Sequence, residues 1–124
     1  MSSRWSRRIV AVFVGAVMLA LIPSVSLGGG TTRVRANDNN TWGPDFKHTY
    51  RGMTVKWTNP SPRRHNISSY NKGADWSFSK RLPRGETRSK TFTRRGGYYY
   101  RCTLHSTMNN GDCNDMCGLI HVQS

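Results

Sequence analysis

Acidic residues are scarce in this chain: six Asp and Glu stand against nineteen Lys and Arg, a formal charge of +13 over 124 residues. The few carboxylates are scattered and form no general acid/base pair, and no Ser-His-Asp arrangement is legible. An enzyme is therefore not expected. Long apolar runs are equally rare. The one present, Ile9 to Leu21, is shorter than the ~20 residues that span a bilayer. No stretch after residue 28 has helical periodicity, and no internal repeat is visible. Cysteine is sparse as well, with only Cys102, Cys113 and Cys117, all in the last quarter.

Residues 1–28 read as a secretory signal. Arg4, Arg7 and Arg8 precede the apolar run, Pro23 breaks it, and small residues from Ser24 to Gly30 follow. An N-terminal anchor is the alternative. Ser6-Arg7-Arg8 also fits twin-arginine export, although adjacent arginines are common in ordinary signals. Removing the three arginines leaves 13 − 3 = +10 on the remainder. Such a charge favours acidic partners and speeds encounter, but says nothing about fold. Export implies an oxidising compartment, where an odd number of cysteines leaves one thiol over or engaged in chemistry.

Beyond the signal the pattern is β. Residues 29–42 are polar and turn-prone, a linker or first strand, with Thr32 to Ala36 as a short edge strand. The domain proper is expected over 43–124. Met53 to Thr58 alternates apolar and polar with period two and stops at Asn59-Pro60-Ser61-Pro62. Trp76-Ser77-Phe78 alternates, Leu82 to Glu86 is a turn, and Thr87 to Phe92 alternates weakly. Tyr98 to Cys102 is an aromatic strand, and Gly118 to Val122 closes the chain. Short strands separated by turns predict an all-β sandwich or barrel.

The chemistry concentrates in Cys102-Thr103-Leu104-His105, in Met116, and in His65 far upstream. Two imidazoles, a thiolate and a thioether are the donor set of a blue-copper electron-transfer site. Cu(I) favours sulfur and Cu(II) accepts imidazole, so a fixed cage offering both need not rearrange when an electron arrives.

Taken in order, Val55-Lys56-Trp57-Thr58-Asn59, His65-Asn66-Ile67, Gly85-Glu86, Phe92, Gly97-Tyr98-Tyr99-Tyr100, Cys102-x-x-His105 and Met116-x-Gly118-x-Ile120-x-Val122 resemble the plastocyanins and related bacterial cupredoxins. The resemblance runs from about Phe46 to Val122. It implies a Greek-key β-sandwich with one copper ion at one end, held by His65, Cys102 and His105. It implies that Asn66 ties the two ligand loops together, and that His105 lies near the surface on the electron path. The methionine departs from the family spacing. Met108 lies three residues after His105 and Met116 eleven after it. Met116 is preferred because it stands where the chain re-enters the last strand, with Met108 as the fallback. Ser106 to Asp115 is then an inserted loop, turning at Asn110-Gly111-Asp112. Cys113 and Cys117 are expected to pair and brace that loop.

The expected function is a one-electron carrier outside the cytoplasm, monomeric, without a small-molecule substrate, and meeting a redox partner with an acidic docking face. Arg63-Arg64, Lys80-Arg81 and Arg94-Arg95 are solvated faces or part of that docking surface. A copper delivery or buffering module is the alternative. A more distant one is a basic nucleic-acid-binding β-domain, in which Tyr98, Tyr99 and Tyr100 stack bases beside Arg94, Arg95 and Arg101. A zinc site would compete with the 113–117 bridge for thiols. His48 and His121 are assigned no role. Met53, Trp57, Trp76, Phe78 and Phe92 are assigned to the core, and the Asn66-Ile67-Ser68 glycosylation motif is set aside.

Overall fold

The computed structural model describes residues 30–71 and 75–124. The proposed signal segment lies outside the described residues. Eight strands follow one another: β1 (Thr31–Ala36), β2 (Trp42–Gly43), β3 (Phe46–Tyr50), β4 (Thr54–Thr58), β5 (Ser68–Ser69), β6 (Thr87–Thr91), β7 (Gly96–Asn109) and β8 (Asp112–Gln123). They form two four-stranded sheets, ordered β2-β1-β4-β6 and β3-β8-β7-β5. No helix occurs among the described residues. The chain is an all-β sandwich.

Period-two burial assigns the inner faces. Thr32, Val34 and Ala36 of β1 point inward between exposed Thr31, Arg33 and Arg35. Val55 and Trp57 do the same on β4, and Met116, Gly118, Ile120 and Val122 on β8. Each fully buried aliphatic side chain of this kind contributes roughly 1.5–3 kcal/mol. The centre of the core is aromatic. Trp57 meets Tyr100, Trp76, Phe78 and Phe92 at centroid distances of 5.4, 5.7, 5.7 and 6.5 Å. Gly118 makes room for this cluster, since a Cβ there would run into the Tyr100 ring.

Two expectations change. Thr31–Ala36 is not an edge strand: it lies inside its sheet, parallel to β4 on one side and antiparallel to two-residue β2 on the other. Its three inward residues are buried, which the neighbouring polar turns obscured. Trp76 and Phe78 pack on the core from an irregular segment, not from a strand. Here alternation reflects one-sided burial without a ladder.

The last two strands form an unusually long hairpin. β7 and β8 pair from Gly96–Val122 out to Asn109–Asp112, with the register broken between Arg101 and Ser106. The turn is Asn110-Gly111, with φ of 52° and 85°. Positive φ at both central residues suits the twist of a two-residue hairpin, and Asn-Gly tolerates it best. The expected inserted loop is therefore an ordered ribbon. A disulfide between Cys113 and Cys117, Cα atoms 6.0 Å apart, braces it.

Candidate metal centre

At the break in the β7–β8 register, β7 places four residues between Arg101 and Ser106 where β8 places one between Cys117 and Asp115. The surplus backbone leaves the ladder and turns Cys102 and His105 toward the same point. Arg101 donates to Ser106 Oγ at 3.1 Å, and Ser106 Oγ donates to the Cys102 carbonyl. These bonds pin both ends of the bulge. His65 arrives from the opposite direction, on an isolated antiparallel bridge to Leu82.

The three side chains converge. His65 Nδ1 and His105 Nδ1 are 3.1 Å apart, and Cys102 Sγ lies 3.7 Å from the first and 3.4 Å from the second. His65 and Cys102 are wholly buried, and His105 is half-buried. A metal bonded at about 2.0–2.1 Å to nitrogen and about 2.3 Å to sulfur separates its donors by about 3.3–3.8 Å. The observed triangle is close to that size. This is the one group of three or more metal-ligating His, Cys, Asp or Glu side chains among the described residues, and it contains no carboxylate.

The tautomer of His65 is set by a buried relay. Asn59 Nδ2 donates to the carbonyls of Arg63 and Leu82, at 2.6 and 2.9 Å, which leaves Asn59 Oδ1 as an acceptor. Ser61 donates to that oxygen from both its backbone N (3.0 Å) and its Oγ (2.6 Å). With its proton so used, Ser61 Oγ accepts from His65 Nε2, 2.9 Å away. His65 therefore carries its proton on Nε2 and directs the Nδ1 lone pair at Cys102 and His105. Burial, then the positive potential of His105 and Arg63, holds His65 down at about 4 against an ordinary 6.5. The lone pair stays free at neutral pH. In the sequence Asn59 stands out only as the end of a strand run shared with the resembled family, and Ser61 only as part of the turn after it. Their polar side chains beside a proline pair carried no signal of a role.

The remaining candidates fall as follows. Asn66 Oδ1 accepts from the Thr103 backbone N at 2.8 Å, and its Nδ2 donates to Thr103 Oγ1, joining the His65 loop to the Cys102–His105 loop. Met116 is fully buried, and its carbonyl accepts from Trp42 Nε1 at 3.3 Å. Met108 sits on the ribbon, opposite Cys113, and is exposed. Cys102 is the free cysteine. His105 lines a surface hollow with Asn39, Asn40, Thr41 and Asp115. Tyr98 and Tyr100 point into the core, so Tyr99 alone faces outward from the aromatic run. The three-tyrosine stacking surface does not form.

No family model and no curated protein matches the sequence. Solved structures do match. A purple cupredoxin from Nitrosopumilus maritimus superposes with a TM-score of 0.59 at 21% identity, over 74% of this chain and 99% of that one. The oxidised state of an amicyanin mutant gives 0.58 at 26% identity, over 76% and 83%. The chain folds as a cupredoxin. A copper-containing nitrite reductase from Thermus scotoductus also matches, with a TM-score of 0.62 at 24% identity. This chain spans only 22% of that enzyme's length, so the likeness covers one fold unit of a larger protein.

Proposed function

We propose that His65, Cys102 and His105 would hold one copper ion, with the Met116 thioether as a weaker fourth donor, and that the centre carries single electrons between proteins outside the cytoplasm. The observation that carries this reading is the convergence of two Nδ1 atoms and one thiol sulfur within 4.8 Å of one another. The donor chemistry fits copper. A structural zinc site takes four strong donors, and the two cysteines that could complete one are bonded to each other. The thioether at a fully buried position supports Met116 over exposed Met108. Bound copper would supply a one-electron couple.

The protein's part is to keep the donors still. The Asn59–Ser61 relay fixes the His65 ring, Asn66 joins the two ligand loops, and the sandwich excludes water from His65 and Cys102. His105, half-buried at the rim, is the proposed contact for the partner. Exposed Arg63 and Arg64 flank His65 in sequence and favour a partner acidic at its docking face. Delivery of copper to another protein is the second reading, because the same ligands would serve it. A carrier should cycle reversibly and retain its metal in both oxidation states, and a delivery module should release it in one.

The test is the visible absorption spectrum after one equivalent of Cu(II). An intense blue band is expected, from thiolate-to-copper charge transfer, and its absence in Cys102→Ser would tie it to that sulfur. A colourless copper complex would rule out a copper thiolate here. Met116→Leu is expected to shift the spectrum and Met108→Leu to leave it unchanged. The reverse pattern would assign the thioether donor to Met108.

A further inference from the structure

The outer face of the β3-β8-β7-β5 sheet carries a second pair of converging imidazoles. His48 on edge strand β3 lies in register with His121 on β8, in a parallel pairing that puts both side chains on the same face. Their Nδ1 atoms are 3.1 Å apart. His48 is exposed and His121 half-buried, so the pair is open to water. Across β8 the residue in register with His121 is Gly97, which has no side chain to cover the pair. Phe46, next on the same face, packs edge-on against His48 at 4.7 Å and restricts that ring. His121 follows Met116 by five residues along the strand, about 16 Å at ~3.3 Å per residue, and points to the opposite side of the sheet.

In the metal-free protein two nitrogens at this distance share one proton, one ring donating and the other accepting. The proton can move to the exposed Nε2 of the donating ring, which frees a second lone pair without changing the charge. Two imidazole nitrogens bound to one cation at about 2.0–2.1 Å stand about 2.9–3.4 Å apart for bond angles between square and tetrahedral. The pair already has that separation.

We propose that His48 and His121 chelate a second metal ion on the outer face of the sheet, a divalent cation of borderline softness such as Zn(II) or Cu(II), with water filling the other positions. Imidazole selects this class, and a hard cation such as Mg(II) would require oxygen donors. The site is open and shares no residue with the His65–Cys102–His105 centre. With two protein ligands it is weaker than that centre and fills after it. Protons compete for the same lone pairs, so binding weakens as pH falls.

The chain has four histidines, at 48, 65, 105 and 121, so ring resonances in NMR report each location separately. The purified protein is titrated with Zn(II) at neutral pH. The His48 and His121 signals are expected to shift together and saturate, independently of whatever His65 and His105 do. His48→Gln and His121→Gln preserve a hydrogen-bonding partner on the outer face while removing the chelate. In each variant the remaining outer histidine should lose its response by at least about tenfold in apparent affinity. Two results would overturn the proposal: no movement of His48 and His121 at several equivalents of Zn(II), or an undiminished response of His121 in His48→Gln. Either would leave the pair as a hydrogen bond fastening an edge strand. Because His65 and His105 are read in the same spectra, failure of the inner centre would be seen separately.

Discussion

At the scale of single residues, the proposed centre depends on side chains outside its donor set. Ser61 is one: its Oγ accepts the hydrogen bond from the His65 Nε2–H, and is itself held by Asn59. Ser61→Ala should weaken copper binding roughly 10–100-fold, measured by competition with a chromogenic chelator. An unchanged affinity would mean that the relay does not set the tautomer. His65 also makes the metal-free protein sensitive to acid. Its folded value, about 4, lies below the ordinary 6.5, so between those values the unfolded chain binds the extra proton. Its contribution to stability is complete above 6.5 and is lost as pH falls toward 4. Denaturant midpoints of the metal-free protein should fall across that window, and less steeply in His65→Gln. Tyr100 presents the opposite case. Its hydroxyl is buried and makes no well-aligned hydrogen bond among the described residues, with the Trp57 side chain as its one polar neighbour there. Tyr100→Phe removes an unsatisfied polar group and should raise the unfolding free energy by about 1 kcal/mol, read from urea unfolding; a loss of that size would show that the hydroxyl has a partner. The sequence displayed His65, Cys102 and His105 because ligand chemistry is carried by residue type. It hid Asn59 and Ser61 because a relay is carried by geometry, and polar residues after a strand look like any turn.

At the scale of elements, the β7–β8 ribbon is the most informative. Strand alternation made its root legible, from Tyr98 to Cys102 and again from Gly118 to Val122. Its outer half, Ser106 to Asp115, has no apolar alternation because most of its side chains face water, so it reads as loop although it is paired. The Cys113–Cys117 bridge closes a short ring there. Replacing both cysteines with serine should lower stability by about 2 kcal/mol on chain-entropy grounds, and free the ribbon tip to exchange its amide hydrogens faster. Amide exchange unchanged at Thr107 to Asn114 would show that pairing alone holds the tip. Thr31–Ala36 marks the other limit of the sequence. A strand there is legible, but no local pattern states which strand it will lie beside, and its neighbour β4 begins eighteen residues after β1 ends (54 − 36).

At the scale of the whole molecule, charge and fold act separately. The chain carries +13, and Arg88–Glu86 is the ion pair found among the described residues. With so little compensation, like charges repel across a small body. Raising ionic strength from about 10 mM to about 150 mM shortens the Debye length from ~30 Å to ~8 Å, and should raise the melting temperature. A melting temperature that falls or stays level would show that repulsion is not limiting. The Asn110-Gly111 turn has a consequence of another kind. Pairing in the ribbon continues past the metal centre, so the ten residues between His105 and Met116 run outward and return in step. Lengthening the ribbon by matched residues, one on each strand, would move only its tip. The turn is therefore a natural insertion point, where a foreign peptide could be displayed on a chain whose proposed copper band would report that the core beneath it is intact.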